Sequence, residues 1–328
     1  MLFDKPTVDG LDYAILYDTP LPIAAPTTGS TTTVTNSYSV IDPKWEPGVR
    51  GFIEKQDLWQ GWDLVGTYTW IRVKKQAETS TGVPLTSRPP GTLYSTVMNS
   101  AIQSLFISGA GFNDLLANFR LQYQTFDVLL ATDYSFCEDH IFRPIFGLTG
   151  VFLDQRFHSR GDIGLTTAGG STFNTGTSIV KWKNQYWGIG LKIGAEYKYE
   201  ICDRLEFFTS FSGSIVAGES STKRLDFLET LTTTGATSRS TIIENFTRDN
   251  DKCHFLNGYH IAAGFSYEEC MCCWDFAFRI GYEFVKWHNI TGIRRIIGDN
   301  IPQIGVSDNP ETITLGFHGL FAGISISY

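Results

Sequence analysis

Charged side chains sit at alternate positions in several stretches of this sequence. Lys192, Glu196 and Lys198 share a register with Gly188, Gly190 and Gly194, and Asp275, Arg279 and Glu283 share one with Ala277 and Gly281. Arg50, Glu54, Asp63, Asp133 and Arg143 are candidates of the same kind in their own segments. Residues two apart project from one face of an extended chain, so these carboxylates and cations would line a common enclosed space. Unpaired charge is costly in a narrow lumen, so they should pair into a structural ladder. Charged walls that sort passing ions are the second use, and mixed signs then imply modest selectivity.

Other chemistries find little support. The six histidines are His140, His158, His254, His260, His288 and His318; none sits with a serine in a recognisable motif, and G-x-S-x-G is absent. No activated nucleophile is therefore visible. Cys270, Cys272 and Cys273 cluster, but no Cys/His pair stands at finger or ribbon spacing, which argues against zinc. No catalytic, cofactor-binding or metal-binding residues are expected, and the chain does not read as an enzyme.

The elements that would position the charges are strands. From Trp187 to Tyr199 one face reads Trp187, Ile189, Leu191, Ile193, Ala195, Tyr197 and Tyr199, while the intervening residues are glycine or charged. Trp274, Phe276, Phe278, Ile280, Tyr282 and Phe284 repeat the pattern, as do Leu64, Tyr68 and Trp70, and Tyr259, Ile261, Ala263, Phe265 and Tyr267. Period-two alternation with aromatics near the ends of the apolar face is the signature of strands in a membrane-spanning barrel. Composition agrees: aromatics are 14%, Gly 32, and charged residues 18%, against about a quarter in soluble domains. No stretch approaches the ~20 apolar residues of a membrane helix.

Connections alternate in length. Short ones fall at Lys55–Gly61, Cys137–His140, Glu200–Arg204 and Glu269–Cys273. Long ones, rich in Thr, Ser, Gly and Asn, fall at Thr19–Lys44, Lys75–Asn113, Phe157–Lys183, Glu219–Lys252 and Asn289–Glu311. The expectation is one all-β domain over residues 1–328, an antiparallel up-and-down barrel of about ten strands with short periplasmic turns, long extracellular loops and periplasmic termini. The strands expected are Leu11–Tyr17, Glu46–Gln56, Trp62–Val73, Ala117–Phe136, Ile141–Gln155, Gln185–Tyr199, Leu205–Gly218, Phe255–Glu268, Trp274–Val285 and Ile313–Tyr328. Ala117–Tyr123 alternates in one phase and Phe126–Leu130 in the other. That calls for a bulge, or for two shorter strands and a total of twelve. Within the 75–113 loop, Tyr94, Val97, Met98, Ala101, Ile102, Leu105 and Phe106 follow helical spacing. A short helix is expected there, either packed on neighbouring loops or folded across the mouth.

The formal net charge of -8 and the absence of a Lys/Arg cluster exclude nucleic acid as a main partner. Met1 to Gly10 lacks the order of a signal peptide, so an exported chain would be in its mature form. The sequence stops on Tyr328, with Leu320, Ala322, Ile324 and Ile326 at alternate positions before it. This end resembles the signal read by the bacterial outer-membrane barrel assembly machinery, which makes that machinery, outer-membrane lipid and lipopolysaccharide the expected partners.

Several segments, taken in order, resemble one family. They are Asp9-Gly10-Leu11-Asp12-Tyr13-Ala14-Ile15, Trp45-Glu46-Pro47-Gly48-Val49-Arg50, and Gly61-Trp62-Asp63-Leu64 with Tyr68-Thr69-Trp70. Arg143-Pro144 with Gly147-Leu148, Phe152-Leu153-Asp154-Gln155, Trp187-Gly188-Ile189-Gly190 and Gly281-Tyr282-Glu283-Phe284 before Trp287 continue the series. They are similar to the Legionella-type pore-forming major outer membrane proteins and their relatives in environmental chlamydiae. The resemblance implies an abundant pore for passive diffusion of small hydrophilic solutes and ions, and supplies no catalytic residues. A closed-lumen structural or adhesive surface protein is the alternative. Cys137, Cys202, Cys270, Cys272 and Cys273 fall in or beside short turns. Chlamydial envelopes are cysteine cross-linked, so the resemblance makes these disulfide candidates, with one another or with cysteine-rich periplasmic or outer-membrane proteins. A homo-oligomer stays open.

Overall fold

The computed structural model describes residues 2–8, 11–17, 36–80, 93–97, 111–137, 139–166, 172–234, 237–271, 274–293, 296–297, 305–306 and 312–327. In chain order the strands are β1 Leu2–Val8, β2 Asp12–Tyr17, β3 Asn36–Val40, β4 Glu46–Trp59 and β5 Trp62–Ser80. They continue as β6 Leu93–Ser95, β7 Gly111–Ala131, β8 Tyr134–Cys137, β9 His140–Thr166, β10 Thr172–Cys202 and β11 Leu205–Thr234. The last are β12 Thr237–Met271, β13 Trp274–Thr291, β14 Ile296–Ile297, β15 Gly305–Val306 and β16 Thr312–Ser327. Ten of them close an antiparallel ring, in the order β1, β4, β5, β7, β9, β10, β11, β12, β13, β16 and back to β1. Strand β8 extends the line of β7 against β9.

One end of the ring carries the short connections. Trp59 pairs with Trp62 across Gln60 and Gly61, whose φ values of 49° and 83° are those of a primed hairpin turn that follows strand twist. The turns joining β8 to β9, β10 to β11 and β12 to β13 lie at the same end. We refer to it as the turn side and to the opposite end as the loop side.

Strand length is the main departure from the sequence expectation. β9, β10, β11 and β12 run for 27, 31, 30 and 35 residues, where about 9–11 suffice to cross a bilayer. Much of the expected loops Phe157–Lys183 and Glu219–Lys252 is therefore strand, paired continuously between β9 and β10 and between β11 and β12. Thr-rich composition suggested loop, but threonine is also a good strand former, and Phe157, Val180, Trp182 and Leu228 supply a buried face. The expected 75–113 loop likewise shortens, because β5 continues to Ser80 and β7 begins at Gly111.

The first ring strand is also corrected. Leu2–Val8, not Leu11–Tyr17, pairs with β16 and β4. Pro6 lacks a backbone donor and breaks the alternation, which hid this strand from pattern reading. Asp12–Tyr17 is instead the central strand of a small sheet between β3 and β6. Buried Leu11, Tyr13, Ala14 and Leu93 set this sheet against the inward faces of β5 and β7, and the Tyr13 hydroxyl lies 2.5 Å from Thr79 Oγ1. Leu93–Ser95 is extended, and the remainder of the expected helix, residues 98–106, lies outside the described residues.

Neither a mid-strand bulge nor twelve strands explains β7. Its odd residues are buried without interruption from Leu115 to Ala131, and its one irregularity is between Phe112 and Asp114. Apolar residues shift from odd positions (Leu115 to Tyr123) to even positions (Phe126, Val128, Leu130) while the backbone keeps its phase. What changes is the surroundings. On β10, Trp187, Ile189, Leu191 and Ile193 face outward and exposed, and Lys192 and Glu196 face in. Toward the loop side the same strand buries Val180, Trp182 and Tyr186 and turns Lys181, Lys183 and Gln185 outward. The barrel has an apolar belt around a polar interior, surmounted by an extension with an apolar interior.

Candidate functional site: the charged lumen

Within the belt lies a cavity of about 1380 Å³. It is lined by Arg50, Glu54, Asp63, Asp133, Arg143, Lys192, Glu196, Lys198, Asp275 and Arg279. Of the residues read from the sequence as lumen candidates only Glu283 is not on its wall; that side chain is 1% exposed beneath Arg50. Alternation aims those on strands inward, and ring closure brings them together from β4, β5, β9, β10 and β13, with Asp133 from the link between β7 and β8.

The charges gather into three groups, the first with three carboxylates around one arginine and the other two with one cation to one carboxylate. Arg143 is the hub of the first, contacting Glu54, Asp63 at 2.8 Å and, through Nε, Asp133 at 3.2 Å. In the second, Arg50 donates to both carboxylate oxygens of Glu283 at 2.8 and 3.1 Å and to Thr69 at 3.1 Å, and His260 Nε2 lies 3.0 Å from Glu283. Lys192 donates to Asp127 at 2.7 Å in the third, and Thr149 donates to the same carboxylate at 2.5 Å. Arg279 stands 3.8 Å from Glu196 and 5.5 Å over the Phe208 ring. Each group links strands far apart in sequence, so ion pairs that close the ring also set the charge of the wall.

Asp127, Thr149, Thr69 and His260 were missed by sequence reading. Asp127 and Thr149 lie on the polar face opposite Phe126, Val128 and Leu148, a signal that was available once the phase of β7 was known.

Toward the loop side the cavity is roofed. Trp287 donates its indole N–H to the Tyr123 hydroxyl at 3.0 Å, and the Tyr123 ring packs on Phe317 with centroids 4.7 Å apart. Beyond them Tyr186, Val216, Leu256, Leu121, Leu153 and Leu315 fill the interior, continuous with the small β2 sheet. On the outer face of this extension, burial beside Lys181 and Arg160 pushes the pKa of His158 down, and on its inner face burial raises that of Asp226 despite its pairing with Arg224.

The remaining candidates lie at the rims. Cys137, Cys202 and Cys270 are exposed free thiols on the turn side and Cys253 is one on the loop side; Cys272 and Cys273 lie outside the described residues. Leu320, Ile324 and Ile326 face outward and exposed, Ala322 is partly buried, and Tyr328 lies outside the described residues.

A closed antiparallel ring, apolar outside and charged inside over a membrane-high band, defines a transmembrane β-barrel. The family model described as the Legionella pneumophila major outer membrane protein precursor matches residues 11–328, and the chain belongs to that family. It is an outer membrane protein. Among curated proteins none matches. Of solved structures it is similar to OmpT, in-vitro folded, an outer membrane protein of Vibrio cholerae in trimer form, at 7% identity. That alignment covers 97% of this chain and 100% of the other with a TM-score of 0.16, a likeness too slight to bear on the fold.

Proposed function

We propose that this protein is a pore-forming outer membrane protein that passes small hydrophilic solutes and ions by passive diffusion. The observation carrying this reading is the cavity of about 1380 Å³ lined by ionised side chains of both signs inside the apolar belt. Only water or hydrated solutes fit such a space. In this reading the turn side faces the periplasm and the loop side the exterior. The aromatic roof at Tyr123 and Trp287 is the constriction, a narrow apolar layer of the kind that gates by dewetting. The exposed thiols of Cys137, Cys202 and Cys270 then face an oxidising compartment and serve cross-linking to cysteine-rich partners.

A second reading has its own observation. The apolar cluster above the roof is continuous, which favours a closed-lumen structural or adhesive protein acting through its loop-side surface. Planar-bilayer recording of the purified protein separates the two. Stepwise conductance that rises when Tyr123→Ala and Trp287→Ala are combined supports the gated pore. Silence of both proteins at high load supports the closed barrel. A non-reducing gel of whole envelopes that shows only monomer, unchanged by reductant, would end the cross-linking proposal.

A further inference from the structure

One row of the sheet carries six cations side by side. Lys74 on β5 lies opposite Arg120 on β7, Arg120 opposite Arg156 on β9, and Arg156 opposite Lys183 on β10. Lys183 in turn lies opposite Lys223 on β11, and Lys223 opposite Arg248 on β12. No run of Lys and Arg in the sequence announces this row, because each member comes from a different strand. Residues directly opposite share a face, and Lys183 points outward, so all six project from the outer wall of the barrel. Five are exposed and Lys183 is half-buried. The row next to it turnward adds Arg72 and the row loopward adds Lys181; the one carboxylate in those two rows is Asp154. Asp154 holds Arg156 at 2.8 and 3.0 Å, and among the described residues none of the other five cations is in an ion pair.

Like charges directly opposite destabilise a sheet. In a chain of formal net charge -8, such a concentration calls for an anionic partner that spans several strands. Its height narrows the choice. Trp70, Phe152 and Trp187 occupy one row of the same outer face, four residues turnward of the cations on β5, β9 and β10. Aromatic rings in a barrel mark the edge of the hydrocarbon. Four residues are about 14 Å of strand, or about 10 Å of height at the usual barrel tilt. A phospholipid headgroup layer is about 5–8 Å deep on each side, so the cations stand above it. Neighbouring strands lie about 4.8 Å apart, which makes the row about 24 Å long.

We infer that this face binds a phosphorylated glycolipid, an anionic lipid whose phosphates are carried on sugars above its acyl chains. The acyl chains lie on the apolar belt below, where Ile189 and Leu191 are 59% and 70% exposed. Arg120, Arg156 and Arg248 present forked donors to the phosphate oxygens, and Lys74, Lys183 and Lys223 present point charges. Gln122, between the aromatic row and the cations, faces the sugar hydroxyls. Phosphates seated between neighbouring strands cancel the repulsion within the row. The inference rests on the proposed orientation, with the loop side facing the exterior, and makes no use of an open lumen.

The test is a titration of the full chain in detergent micelles with bisphosphorylated lipid A, read as bound lipid by native mass spectrometry. The same lipid stripped of phosphate, phosphatidylglycerol and heparin are the parallel arms. One variant combines Arg120→Gln, Lys183→Gln and Lys223→Gln. Its control removes three exposed cations elsewhere, by Lys44→Gln, Arg239→Gln and Lys252→Gln. Both should keep the heat-modifiable band of the parent, which shows that they fold. Lipid A is expected to bind the parent at least about tenfold more tightly than the stripped lipid. The row variant should lose that margin and the control should keep it. Equal binding of lipid A and the stripped lipid would overturn the proposal, as would equal loss in the two variants. Tighter binding of phosphatidylglycerol or heparin would give the row to another partner and overturn it too. Displacement by inorganic phosphate, but not by chloride of equal ionic strength, would assign the row to the free anion, with the same consequence. Micelle binding is read without regard to orientation or conductance, so a failed titration strikes the lipid site and leaves the proposed pore standing.

Discussion

Below the level of Tyr123 and Trp287 the barrel turns charges inward and aliphatic side chains outward; above it the same strands do the reverse. On β10, Lys192 and Glu196 line the cavity while Leu191 and Ile193 are exposed, and ten residues earlier Trp182 and Tyr186 are buried while Lys181 and Lys183 face out. Neither backbone phase nor sheet membership changes between the two zones. The difference teaches that strand geometry fixes only which residues share a face. The solvent outside, lipid in one zone and water in the other, decides which face is apolar. The lower zone is held by ion pairs across a wet lumen, and the upper one by burial, like a soluble sandwich.

The largest effects should come from emptying either interior. Arg143→Ala leaves Glu54, Asp63 and Asp133 facing one another without their cation. Stranding partly buried charge costs about 3–5 kcal/mol, so the folded band in a heat-modifiability gel should be lost at lower temperature. Phe317→Ala, 1% exposed in the upper interior, should cost about 3–5 kcal/mol, measured as a lower urea midpoint in lipid vesicles. Equal sensitivity of Phe317 and an outward belt residue such as Ile193 to truncation would break the contrast.

A more selective comparison uses one substitution at two levels of the same face. Leu191→Arg puts a guanidinium into lipid, which costs about 2–4 kcal/mol near the bilayer midplane. Gln185→Arg, six residues higher on that face, should stay within about 0.5 kcal/mol of the parent. Similar costs at the two positions would mean that the belt extends farther than drawn.

Much of this was legible before any coordinates. Alternation and connection lengths along the chain place nine of the ring strands, and in Trp187–Tyr199 and Trp274–Phe284 the alternation aims Lys192, Glu196, Arg279 and Glu283 inward. The upper zone was not legible, because Thr- and Ser-rich segments such as Thr230–Thr234 satisfy loop and strand preferences alike, and only pairing with a neighbour decides. The phase shift in Ala117–Leu130 was visible but misassigned, since a bulge and a change of surroundings leave the same mark on a sequence. Ion-pair partners were illegible for another reason: Arg50 and Glu283 meet only when the ring closes.

The smallest effect expected is a pH dependence confined to the upper zone. Asp251 accepts the Cys253 backbone N–H at 3.1 Å and lies 3.0 Å from His254 Nδ1, and these two hold its pKa below the usual carboxylate range. A carboxyl depressed in the folded state stabilises above its unfolded pKa, and that contribution is lost as pH falls through the folded value. Asp251→Asn should therefore melt slightly below the parent at neutral pH and together with it in acid, as followed by loop-side tryptophan fluorescence. A difference that persists in acid would point to a packing defect instead.

The two-zone division is tested most directly by a nitroxide scan along the outward face of β10 in lipid vesicles. Single cysteines would be placed at Lys181, Lys183, Gln185, Ile189, Leu191 and Ile193 in a background free of the native thiols. Dissolved oxygen should dominate relaxation at Ile189, Leu191 and Ile193, and a water-soluble nickel complex at Lys181 and Lys183, with the crossover between Gln185 and Ile189. Oxygen-dominated relaxation reaching Lys181, or nickel access at Leu191 equal to that at Lys181, would contradict the division.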